Sequence, residues 1–136
     1  MTTIVVGYVP KPEGRAALHR AVEEARLRGA RLVVVNSARG GRDFDHEDAA
    51  EAEIELDEVR SQLAEAGVDA EVRQLVRGAD VAEDLIAVAG ENAADLIVIG
   101  LRRRSPVGKL ILGSNAQRIL LDAPCPVLCV KGDETD

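Results

Sequence analysis

Five short runs constrain this chain more than anything else in it. They are residues 3–9 (TIVVGYV), 31–36 (RLVVVN), 70–76 (AEVRQLV), 96–99 (LIVI) and 126–130 (PVLCV), each separated from the next by a longer stretch. Most are β-branched and nearly continuous in apolar character, as strands buried on both faces are; residues 70–76 alternate and read as less buried. In the intervening stretches apolar residues recur at helical spacing. Strand and helix alternating along the whole chain imply an α/β fold, a parallel sheet with helices on both faces joined by right-handed crossovers. At 136 residues without a linker or repeat, one domain spanning 1–136 is expected.

The helical stretches carry their own signals. In the first, from Glu13 to about Gly29, Leu18, Ala21, Val22 and Ala25 share one face, and Arg15, Glu23, Glu24 and Arg28 the other. The second, from about His46 to Ala66, has an inward stripe of Leu56, Val59, Leu63 and Ala66 with Ile54 at its shoulder, and a strongly acidic outer face. Asp80 reads as the cap of the third, with Glu83 three residues on. Ser114 reads as the cap of the fourth, with Gln117 completing a capping box and Ala116, Ile119, Leu120 and Ala123 facing inward. Aromatic residues make up only 1% of the chain, so Val, Ile, Leu and Ala must fill the core.

Between the fourth run and the fourth helix lies the stretch with most to say about function. Gly100 ends the run, Arg102, Arg103 and Arg104 follow, and Gly113-Ser114 opens the helix. A glycine-flanked loop leading into a helix start offers backbone N–H groups and a positive dipole end to an anion. Gly100 either admits a phosphate to the backbone or merely permits a tight turn. Ser114 and Asn115 either donate to an anion or serve as cap and solvated first-turn residue. The arginines match phosphate geometry bidentately, or form a solvated run. The net charge of −7 speaks for solubility and against nucleic-acid binding, and makes those arginines a local reversal of sign.

Residues 94–131 resemble the C-terminal signature of the universal stress proteins, G-x2-G-x9-G-[S/T] followed by a helix and a closing P-V-L-V-V strand. Gly100, Gly113, Ser114 and the strand Pro126-Val127-Leu128-Cys129-Val130 fall in register, while Arg103 replaces the middle glycine. The resemblance implies the strand order 3-2-1-4-5, an adenine-nucleotide alpha-hydrolase-like domain, and binding of ATP or a related nucleotide in a stress-response regulatory role. By register, Gly100, Arg103, Gly113, Ser114 and Asn115 would hold phosphate, with Val9 and Ser37 near the nucleoside. Family members often carry an aspartate where this chain has Val9. An alternative is a homodimeric interaction module of the same fold that has lost nucleotide binding, its pocket closed by Arg103 and Val9.

The residues offer no set for other chemistry. His19 and His46 fall on helices away from the loop, and no Ser-His-Asp set, P-loop lysine or metal-ligand spacing is present. A conventional enzyme, a metal site and a nucleic-acid partner are therefore not expected. Cys125 and Cys129, if on one strand, lie roughly 13 Å apart, beyond the about 7 Å a disulfide tolerates. No apolar run approaches the roughly 18 residues of a membrane span, so no membrane association is expected and the cytoplasm is the expected location. Pro124 and Pro126 confine the last strand to a sheet edge, yet it is apolar on both sides. Pairing with a second copy resolves that conflict, and the resemblance implies a homodimer through Pro126 to Val130.

Overall fold

The computed structural model describes residues 2–36, 46–74, 81–101 and 112–132, with the backbone alone for 46–53. The elements are β1 (Thr3–Tyr8), α1 (Pro12–Arg28), β2 (Arg31–Asn36), α2 (His46–Ala66), β3 (Ala70–Gln74), α3 (Val81–Glu91), β4 (Leu96–Leu101), α4 (Ser114–Asp122) and β5 (Val127–Lys131). The five strands form one sheet in the order β3-β2-β1-β4-β5, every pair parallel. Strand alternation sorts the core into two layers. Ile4, Val6, Tyr8, Leu32, Val34 and Val98 pack under α1 and α2, while Val5, Val33, Val35, Ile97 and Ile99 pack under α3 and α4.

Four helix readings need correction. Proline at its first position opens α1 before Glu13, because a residue there gives up no helical N–H bond. Glu24, counted above on the outer face, is buried, 7% exposed. Arg20 one turn before it (2.8 Å) and Arg28 one turn after it (3.1 Å) pair with its carboxylate and make that burial tolerable. Ile54 is exposed, whereas Leu56, Val59 and Leu63 are buried as expected. In α4 only Ile119 is buried, and Leu120 faces partly outward. Asp80 and residues 75–76 lie outside the described residues.

Nor is the acidic side of α2 wholly solvated. Tyr8, at the end of β1 and 1% exposed, donates its hydroxyl to Glu55 Oε2 at 2.7 Å. Burial first, then the Glu55 hydrogen bond and charge, push the phenol well above its usual range. The fold thus holds the neutral phenol. Its contribution is complete below the ordinary phenol pKa near 10 and drains away as pH rises past it. Tyr8→Phe should cost about 1 kcal/mol at neutral pH. Above about pH 10 the variant's stability should fall less steeply than wild type's, as denaturant melts across pH will read.

Candidate functional site

In this strand order the chain reverses direction between β1 and β4, which makes the crevice beyond their carboxyl ends the natural ligand position. Pairing of β1 with β4 runs only from Ile4–Leu96 to Val6–Val98. β1 continues alongside β2 as far as Tyr8–Asn36, and β4 alongside β5 as far as Leu101–Lys131. The two central strands therefore part before they end. The first turn of α1 sits over this parting. A Cβ on Gly14 would stand 1.9 Å from the Val9 carbonyl oxygen, and one on Gly100 would stand 2.0 Å from that of Glu13. Gly132 likewise faces the Glu13 backbone. Gly100 is thus glycine because a helix start lies against it, a reason local sequence could not supply.

At the start of α4 the structure moves the cap by one residue. Gly113 is the N-cap, extended at φ −70° and ψ 166°, and its carbonyl accepts the Gln117 N–H at 3.0 Å. Ser114 is the first helical residue rather than the cap, so its hydroxyl is not engaged by an amide of its own helix. Gln117 still reaches back, donating Nε2 to the Leu112 carbonyl at 3.0 Å. The N–H groups of Ser114, Asn115 and Ala116 have no acceptor within the helix. Gly113, Ser114 and Asn115 are all exposed. Arg118 on the next turn pairs with Glu83 at 2.7 Å and ties α4 to α3.

Val9 and Gly100 are thus brought together around the first turn of α1, and α4 opens at the end of the sheet to which β4 delivers the chain. Ser37 and Arg103 lie outside the described residues. Sequence reasoning missed Asn36, the last residue of β2, opposite Tyr8 and Gln74. It is 4% exposed, and its Oδ1 has no hydrogen-bond partner. A polar residue closing an apolar run was the available signal. Both cysteines are unbridged and half-buried. Burial raises both thiol pKa values, with the Asp95 charge adding to the effect at Cys125. Cys125 precedes β5 rather than lying on it. Among the described residues no His, Cys, Asp and Glu group could hold a metal, and no helix is long and apolar enough to cross a membrane.

Residues 1–131 match the universal stress protein family model. The chain belongs to the universal stress protein family. A universal stress protein of Mycolicibacterium smegmatis is 46% identical over 94% of this chain and 96% of its own length. One from Thermus aquaticus is 37% identical over 95% and 98%. The solved universal stress protein of Archaeoglobus fulgidus superposes with a TM-score of 0.81 at 42% identity, covering 96% of this chain and 99% of its own. A structure of the Archaeoglobus fulgidus protein in complex with dAMP gives 0.75 at 36%, covering 96% and 98%. A universal stress protein in complex with cAMP gives 0.72 at 26%, covering 97% and 98%.

Proposed function

We infer that this family member binds an adenine nucleotide, or a closely related phosphorylated ligand, across the carboxyl ends of β1 and β4. On this reading it is a single cytoplasmic domain, 1–136, serving as a stress-response regulator rather than as a conventional enzyme. The observation that carries the reading is the start of α4, where three amides and the Ser114 hydroxyl are engaged by no group of their own helix. Solved relatives at 36% and 26% identity hold dAMP and cAMP, which supports the ligand class. Gly100, Arg103, Gly113, Ser114 and Asn115 take the phosphate side, and Val9 and Ser37 the nucleoside side. Because Val9 offers no carboxylate to the sugar, AMP and dAMP are expected to bind within a few-fold of each other. A homodimer through β5 belongs to the same reading.

Calorimetric titration with ATP, AMP and cAMP tests it. At a hundred times Kd a bound nucleotide should stabilise the fold by about 2.7 kcal/mol. Ser114→Ala combined with Arg103→Ala should weaken binding at least roughly ten-fold, since hydrogen bonds to charged groups contribute about 1.5–3 kcal/mol each. If none of the three nucleotides binds, the reading falls, and the chain is an interaction module on the same fold. Binding that ignores the double substitution moves the phosphate elsewhere.

A further inference from the structure

β3 stands at the edge of the sheet beyond β2, half-buried along its length, with no strand on its outer side among the described residues. Leu32 N–H donates to the Asp69 carbonyl at 2.9 Å, and the register runs Leu32–Ala70, Val34–Val72, Asn36–Gln74. In a parallel ladder that commits residues 69, 71 and 73 to β2 and turns the N–H and C=O groups of Ala70, Val72 and Gln74 outward. An edge of this kind is a template for another strand unless its side chains forbid the pairing.

The side chains here are charged, but with opposite signs two residues apart. Glu71 and Arg73 lie on the α3 face, 36% and 32% exposed. Within the chain Glu71 accepts from Arg31 and Arg73, and Arg73 also reaches Glu91 at 3.6 Å. An antiparallel second copy centred on Val72 would set Val72 against the partner's Val72 and Ala70 against the partner's Gln74. All of these face outward, so they form hydrogen-bonded pairs. Between them Glu71 falls directly opposite the partner's Arg73, and Arg73 opposite the partner's Glu71, in the closer non-hydrogen-bonded positions. A slip of one residue sets outward groups against groups that β2 already uses. A slip of two brings Glu71 onto the partner's Glu71, or Arg73 onto the partner's Arg73, and like charges directly opposite repel. The charges thus bar the neighbouring registers and admit one. On the other face a groove of about 300 Å³ runs between α2 and β3, lined by Leu63, Ala64, Ala70 and Val72 with Arg60. It leaves room beside the seam for the side chains of the partner's Val72 and the partner's Gln74.

We propose that the β3 edge is a self-association surface, to which a second copy of this chain adds its own β3 antiparallel, centred on Val72. A five-residue edge makes a small contact, of the weak class that forms as concentration rises and is open in dilute protein. It depends neither on a bound nucleotide nor on pairing through β5.

Sedimentation equilibrium of the full chain over a rising concentration series is the test. The wild-type average mass should climb in a weak step, whatever assembly it starts from. Glu71→Arg and Arg73→Glu each set like charges in both opposed positions, and each should move the step to roughly ten-fold higher concentration. An equimolar mixture of the two restores opposite charges across the seam and should associate close to wild-type concentrations. Val72→Pro, which removes an outward N–H and none that β2 uses, should abolish the step. If a charge variant does not fold, wild type and Val72→Pro still decide. A wild-type mass that does not rise overturns the proposal, as does a rise that Val72→Pro leaves in place, or a mixture that associates no better than its components.

Discussion

Gly100→Ala is expected to destabilise the protein by about 3 kcal/mol, at the upper end of what overpacking costs. The added Cβ would lie 2.0 Å from the carbonyl oxygen of Glu13 and 2.6 Å from its carbonyl carbon. Those are backbone atoms in the first turn of a helix, so no side-chain rotation relieves the collision. Either α1 lifts from the ends of β4 and β5 or the sheet distorts. Gly14→Ala meets the Val9 carbonyl at 1.9 Å and should behave alike. For a chain of this size about 3 kcal/mol corresponds to a melting temperature lower by roughly 10 °C. Gly90→Ala is the control. It stands within α3 with nothing in 4 Å of its notional Cβ, and should stabilise by about 0.5–1 kcal/mol. If the Gly100 and Gly90 variants melt together, the seating of α1 on β4 is wrong.

Cys129→Pro is expected to convert the proposed dimer to monomer. Ile97 N–H donates to the Pro126 carbonyl, and Gly132 N–H to that of Leu101. Bonding to β4 in a parallel ladder therefore alternates through residues 126, 128, 130 and 132. Val127, Cys129 and Lys131 turn their backbone groups to the open edge. Proline at 129 removes an edge donor without removing any N–H that β4 uses. Sedimentation should then show the 14.5 kDa chain alone, where wild type and Cys129→Val should sediment at twice that mass. A Cys129→Pro protein that remains dimeric would move the interface away from β5.

The frame of the molecule was open to reading because it rests on local repetition. Runs such as LVVV and LIVI admit few structures, and the helices between them declare a face. Strand order came from the resemblance in residues 94–131 and agrees with the observed sheet. Finer features failed where contacts are distant or two residues suit one role. Glycine and serine both cap helices well, so sequence alone could not decide between Gly113 and Ser114. Glu24 looked solvated on a helical projection that ignored arginines one turn to either side. The partner of Gly100 is Glu13, 87 positions earlier in the chain, beyond any local pattern. Asn36, with its orphan oxygen, was hidden by the apolar run that it closes.

The bond from Tyr8 to Glu55 has a practical corollary. With one tyrosine and no tryptophan in the chain, intrinsic ultraviolet emission has a single dominant source. That source is enclosed, hydrogen-bonded, and one residue from Val9. The native chain thus carries its own optical probe at the rim of the crevice, so events there can be followed without attaching a dye.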